Sequence, residues 1–570
     1  MKKLSLFIFS VVLLSACNPL NKMAKYAESV KYEVIPNPIE LHSDSVEINM
    51  TGKFPPEYFH KLVSVVATPT LVGESGEAVK TFKSVKFIGA EVEGDGQKVD
   101  FTKGGTVKYN DKVAYTDKME MGKIVLKVEA AFKKKKKELG SVEIGNGTVI
   151  TPKLVKADEK AILGKDKFNR ITPKPINGQI NYLINSSNVS ASELREDDMK
   201  ALGDFIKEGA EKEWVFKGVS SSAYASPDGE LTINENLADN RAKSASKAVA
   251  KMLKKSKIEA AKAEDFFKNE GKGEDWDGFK KAMQASDIKD KDLIIRILEM
   301  YPDVVKREEE IKNLAETYLV VKDDILPTLR RSQLMINAEE VGYSDEEIKQ
   351  LASSNPAELN EEEMLYAATL TDKEDEKMKI YSTFKSQFPK DWRGPNNVGF
   401  MYMLQNKISD AKTEFEAAMK LDNNSIVNNN MGIIAKLSGD ISKAKEHYSK
   451  AAGAGPEVGY NLAIINIIEG DYDKAVDNCG SMNNFNAALA QLLNGDTEKA
   501  VSTIEASEDK EEAMSYYLKA IAGARTENKE MVINNLKSAI SKDNDLKAKA
   551  KRDAEFLKMS SDADFTGLVN

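Results

Sequence analysis

The sequence predicts a multidomain chain: an N-terminal antiparallel β-sandwich, a middle α+β domain built on a βαβ unit with an insertion, and a C-terminal all-α solenoid. Three observations carry that expectation. Short apolar runs of period two, punctuated by Gly and Pro turns, fill the segment from about Lys31 to Leu163. Strands and amphipathic helices then alternate from about Gly178 to Asn337. From about Glu361 the chain reads as helices only, along which one template recurs, first after 33 residues and then with shortened middle repeats. At 570 residues the chain exceeds what one hydrophobic core can hold.

Composition narrows the function. Hydrophobic residues are 41% and charged residues 30% of the chain, as in folded globular domains. The net charge of −9 gives no basis for wrapping phosphates, so no nucleic-acid partner is expected. Two cysteines cannot make a disulfide framework, and His42, His60 and His447 lie far apart, so no metal site or cofactor is expected. No Gly-x-x-x-x-Gly-Lys-Ser/Thr loop, His-Glu-x-x-His or Gly-x-Ser-x-Gly motif occurs, and no convergent acid, base or nucleophile stands out. The expectation is a protein that is not an enzyme.

Lys2 and Lys3 precede an apolar run from Leu4 to Leu14, closed by Leu14-Ser15-Ala16-Cys17. A basic start, a short apolar core and small residues before a cleavage point read as a signal peptide over residues 1–16. The run is too short to span a bilayer. The Leu-Ser-Ala-Cys ending resembles the bacterial lipobox. That resemblance implies acylation of Cys17, with palmitate-type chains, and the Asn18 that follows implies the outer membrane; the lack of an acidic surface-export cluster from Asn18 to Ala27 implies a body facing the periplasm. An ordinary signal peptide ending near a cysteine is the alternative. Residues 17–30 then read as a linker.

The sandwich is expected over residues 31–165. Val46 to Met50 and Ile124 to Val128 alternate in polarity, while Leu62 to Ala67 reads as a more buried strand. Pro36-Asn37-Pro38, Gly94-Asp95-Gly96 and Gly104-Gly105 mark turns. Lys133 to Lys137 reads as a solvated hairpin tip, with contact to an anionic envelope surface as the second reading. Asp44-Ser45-Val46 resembles a short bacterial O-glycosylation acceptor.

The middle domain is expected over residues 177–338. Gln179 to Ile184 and Trp214 to Val219 read as strands. Ser192 caps a helix carrying Met199, Leu202, Phe205 and Ile206, and a second helix carries Leu237, Arg241, Ala245, Ala248 and Leu253. Residues 339–360 read as a linker.

Over residues 361–570 a small anchor is followed twelve residues later by a second, and four later by a third. Gly399, Ala411 and Phe415 set this template, with Tyr402 and Ala418 beside it. Gly432, Ala444 and Tyr448 repeat it, as do Ala463, Ala475 and Cys479, then Ala488, Ala500 and Ile504, then Ala520, Val532 and Leu536. Small residues let paired helices approach and the larger ones fill the groove. The template resembles the tetratricopeptide repeat, which implies a concave surface for protein partners. Cys479 then occupies a packing position and is expected to be a buried structural thiol.

The middle domain carries the functional constellation. Tyr224-Ala-Ser-Pro-Asp-Gly229 is followed by Asn234, Leu237 and Arg241-Ala242, and later by Leu329-Arg330-Arg331-Ser332-Gln333-Leu334. This resembles the OmpA-like peptidoglycan-binding family, with an insertion between the second helix and the last strand that includes Gly273-Glu274-Asp275-Trp276 and Leu326-Pro327-Thr328-Leu329, a combination associated with Bacteroidota. The resemblance implies a site for the diaminopimelate end of a wall peptide, made by Arg241, Asp228, Ser226 and Asn234. An arginine fork suits the carboxylate of such a ligand, and an aspartate its ammonium. Ser226 stands where the family places that aspartate, with Asp228 two residues on. Two readings stay open: a tether or scaffold at the cell wall docking partners through the repeats, or a pure scaffold subunit of an outer-membrane assembly or secretion complex that no longer binds peptidoglycan.

Overall fold

The computed structural model describes residues 18–73 and 75–570; Cys17, the expected acylation site, lies outside them. The chain divides into two compact units, one of residues 18–164 with 389–570, the other of residues 165–388. No helix among the described residues is long and apolar enough to cross a membrane.

The first unit begins with the helix Pro19–Lys25, whose first turn is fixed by Pro19 and by the Asn18 side chain accepting from the Leu20 N–H. Leu20 and Met23 sink into the sandwich core. The segment expected as a free linker is therefore part of the domain, because two apolar side chains three residues apart share one helix face.

Two sheets face each other. In one, Ser45–Phe54 is central, flanked by Gly105–Ala114 on one edge and by Lys31–Val34 and Ile39–His42 on the other. In the second, the order is Lys135–Asn146, Lys123–Phe132, Val63–Val72, Val85–Gly89, Gln97–Val99. The alternation along Val46, Ile48 and Met50 and along Ile124, Leu126 and Val128 places these side chains in the core. The sandwich is not purely antiparallel: Thr148–Val149 pairs parallel to Ile39–His42, and Gln97–Val99 parallel to Val85–Gly89. It also ends sooner than expected. After Val149 the chain makes one 3-10 turn, Thr151–Leu154, then runs extended to Gly164 against the helical repeats.

Those repeats are helical hairpins. Arg393–Leu404 packs on Ile408–Leu421, Ser425–Leu437 on Ile441–Lys450, Pro456–Glu469 on Tyr472–Cys479, Phe485–Leu493 on Thr497–Glu505, and Ala513–Arg525 on Lys529–Lys542. Every predicted anchor from Ala411 to Leu536 that the template pairs across these hairpins is buried. Gly399 and Gly432 lie against the rings of Phe415 and Tyr448; a methyl on Gly432 would sit 2.5 Å from the Tyr448 ring. Gly439, Gly470 and Gly495 take positive φ in the inter-helix turns, which glycine adopts without steric cost.

In the second unit a four-stranded sheet runs Ile171–Asn181, Arg331–Val341, Val215–Ala225, Phe267–Glu274. The last two are parallel and joined through Leu231–Lys255, which is the expected βαβ unit. Ile180, Leu202, Ile206, Val219, Val249, Leu334 and Ile336 form the core beneath the helices. Several boundaries move. The first strand starts eight residues early and stops at Asn181, leaving Leu183 and Ile184 exposed. Ser192 makes no cap; the helix starts at Asp197, because Ser192 begins a separate 3-10 turn. Gly273 and Glu274, read as part of the insertion, end the fourth strand. The insertion proper has its own small core of Phe279, Met283, Ile294, Ile311, Val321 and Leu329. Residues 339–360 are no linker: the strand runs to Val341, and Asp345–Ser354 is a helix with a complete Ser344/Glu347 capping box.

Candidate functional site

The turn after Val215–Ala225 and the start of Leu231–Lys255 bring Ser226, Asp228, Asn234 and Arg241 into one region of the second unit, as the sequence pattern requires. Their polar atoms point at one another and at the backbone. The Ser226 hydroxyl donates to Asp228 Oδ1 (2.5 Å) and accepts from Arg330 Nε (3.0 Å). Arg330 Nη2 reaches Asp228 Oδ2 at 3.3 Å, with both side chains about nine-tenths covered. Asn234 Nδ2 donates to the Ser226 carbonyl and, at 2.8 Å, to Glu274 Oε1, whose second oxygen accepts from the Trp276 indole.

Arg241 is fully buried, at 1% exposure. Its guanidinium donates to the carbonyls of Ser186 (2.9 Å), Tyr224 (2.8 Å) and, weakly, Leu183 (3.4 Å), and lies over the Tyr182 ring. Burial pulls its pKa down to about 10, with a further push from Arg330, so it stays charged at neutral pH. Its fork is therefore spent on main-chain carbonyls. The insertion adds charge beside the turn: the Glu308 carboxyl is raised, first by burial and then by repulsion from Glu274 and Asp228. Arg330, named above only as part of a strand motif, is the residue that neutralises Asp228; the tandem Arg330-Arg331 was the available signal. Its neighbour Arg331 pairs with Asp275.

A second constellation lies in the first unit. Each of the first four hairpins carries an asparagine on its first helix, two residues before the small anchor: Asn397 before Gly399, Asn430 before Gly432, Asn461 before Ala463, Asn486 before Ala488. Each amide grips both main-chain groups of one residue in the extended segment. Asn486 binds Lys156 N–H and C=O at 2.8 and 2.9 Å. Asn461 binds Lys160 at 2.7 and 3.0 Å, Asn430 binds Ile162 at 2.8 Å each, and Asn397 binds Gly164 at 2.7 and 2.9 Å. Asn396 and Asn429 add donors to the Ile162 and Lys160 carbonyls. The strap thus runs opposite to the order of the repeats.

Side chains complete the seat. Ile162 packs with Ile433, Ala444, Tyr448 and Ile465. Glu159 forms a buried ion pair with Lys436, and Asp158 accepts from the Tyr460 hydroxyl at 2.6 Å. The expected surface for protein partners is consequently filled, along these four hairpins, by the chain's own residues 156–164. The fifth hairpin has Leu518 at the equivalent position, and the ladder ends there. Cys479 is buried in the third hairpin, and burial pushes its thiol up to about 12. Among the described residues no group of three His, Cys, Asp or Glu side chains could hold a metal ion. His42 packs on Tyr472, His60 between Phe101 and Phe132, and His447 on Asn428.

No protein-family model matches the chain, and no curated protein matches it. Among solved structures, a tetratricopeptide repeat protein from Parabacteroides merdae is 16% identical, over 41% of this chain and 94% of that one, with a TM-score of 0.27. YrrB, a TPR protein described as having an unusual peptide-binding site, is 17% identical over 36% and 99%, with a TM-score of 0.20. Yeast Tom70 is 13% identical over 60% and 77%, with a TM-score of 0.26. Each is a likeness of stacked helices below a TM-score of 0.5; the repeated hairpins stand on this chain's own contacts.

Proposed function

We propose that this chain is a non-catalytic scaffold, acylated at Cys17 and held at the outer membrane facing the periplasm, whose α/β unit serves protein contacts and does not hold peptidoglycan. One observation carries the choice between the two readings left open by the sequence. The two groups that would grip the diaminopimelate end of a wall peptide are already satisfied: Arg241 by three carbonyls and Asp228 by Arg330 and Ser226. A ligand carboxylate or ammonium would have to break these buried bonds, each costing about 1–3 kcal/mol. Partners would then meet faces other than the strap-filled one.

The test is sedimentation of the purified chain with sacculi. It is expected to stay in the supernatant with a non-binding control protein. Co-sedimentation abolished by free diaminopimelate would restore the wall-tether reading.

A further inference from the structure

The lysine hairpin and the N-terminal helix form one surface. The turn Lys133-Lys134 joins Lys123–Phe132 to Lys135–Asn146, and Lys137 Nζ donates to Asn21 on the helix Pro19–Lys25 at 2.7 Å. Lys22 of that helix lies over the Phe101 ring at 5.9 Å, and Lys133 over the Phe132 ring at 5.6 Å. His60 touches both rings, and its neighbour Leu62 donates its N–H to the His60 side chain. Lys25 lies over Tyr26. Lys22, Lys25, Lys133 and Lys137 thus gather around aromatic and aliphatic side chains, of which Tyr26 is 49% and Leu62 38% exposed, and Lys134 and Lys135 extend the same hairpin tip.

The acids nearby do not cancel this charge. Glu129 pairs with Lys136, Glu143 with Lys123 and Glu91 with Lys61; Glu28 and Glu138 are the other carboxylates on the helix end and the hairpin. Lys133 holds a positive φ of 55° at the tip of this turn, a conformation that favours glycine or asparagine.

We infer that this face lies on a bilayer surface rich in anionic lipid headgroups. Lysines rimming half-exposed aromatic and aliphatic side chains match an interface in which ammonium groups meet headgroup phosphates while rings enter the acyl boundary. Placement supports a lipid surface over an acidic protein: the patch is built on a helix that starts two residues after Cys17, so acyl chains there would bring it against the membrane. In this the inference rests on the acylation proposed above. The sandwich would then lie on the membrane rather than hang from a flexible tether.

The experiment uses the full chain from residue 17 carrying Cys17→Ser, which has no acyl chain, with vesicles of phosphatidylcholine alone or mixed with phosphatidylglycerol. Binding to the mixed vesicles, weakened by salt, and none to phosphatidylcholine is expected. Each lysine near such a surface is worth roughly fivefold in partitioning. Lys134→Gln with Lys135→Gln should therefore weaken binding roughly 25-fold, and Lys22→Gln with Lys25→Gln, on a separate segment, comparably. Equal binding to both vesicle types, undiminished binding by both variants, or binding of polyglutamate in place of vesicles would overturn the inference. Labelled palmitate tests the anchor separately: a chain that takes up none yet partitions onto anionic vesicles loses the anchor and keeps the patch.

Discussion

The Asn430 side chain accepts from the Ile162 N–H and donates to the Ile162 carbonyl, both at 2.8 Å, across 268 residues of sequence. A primary amide offers one donor and one acceptor edge at the spacing of a peptide's own N–H and C=O, so it pairs with an extended strand as a neighbouring strand would. The same two-bond grip at Asn397, Asn461 and Asn486 makes the strap an integral part of the helical array.

Asn430→Ala should leave the Ile162 N–H buried without a partner and cost about 1–3 kcal/mol. Denaturant unfolding measures the loss, and hydrogen exchange at the Ile162 amide should rise. An unchanged midpoint with unchanged exchange would show that the ladder contributes nothing to holding the strap.

Gly432→Ala should destabilise the second hairpin by about 1–3 kcal/mol, since the new methyl meets a fully buried ring. Combining it with Tyr448→Leu should cost less than the sum of the two changes, because the smaller side chain removes the clash. Additive thermal shifts would refute that account.

Arg330→Ala should be the most damaging single change at the turn, at about 3–5 kcal/mol, because it strands Asp228 in a covered site. Adding Asp228→Ala should recover part of the loss. Urea titration of the two variants decides the point.

Cys479 should resist thiol reagents at pH 8 in the folded chain carrying Cys17→Ser and react once the chain is unfolded. Its thiol is raised from about 9 to about 12 by burial, so the folded state holds its proton more tightly than the unfolded state. This contribution to stability is complete below about pH 9 and is lost as pH rises toward 12. Cys479→Ala should flatten that part of the stability profile. Rapid labelling of the native thiol would contradict the burial argument.

Much of the architecture was legible because it is written in local periodicity. Alternation at Val46–Met50 and the twelve-then-four spacing from Gly399 onward each state which side chains must face inward, and the structure buries them there. Boundaries were less legible. Ser192 has the residue type of a cap but lies a turn too early, and the segment after Asn18 looked free because its two anchoring side chains, Leu20 and Met23, give too short a pattern to read alone. The asparagine ladder was visible as Asn two residues before each small anchor, yet a polar residue on a helix gives no sign of its partner until that partner is placed in space.

The sequence by itself determined the three kinds of region, the pairing of small with large residues across each hairpin, and the gathering of Ser226, Asp228, Asn234 and Arg241 near one turn. These follow from spacing along a single strand, helix or hairpin. Tertiary structure alone decided that Arg330, 102 residues away, neutralises Asp228, and that residues 156–164 fill the face of the repeats. Both outcomes depend on buried polar groups finding partners, and a buried amide or carboxylate takes whichever complementary group the fold brings within about 3 Å, however distant in the chain.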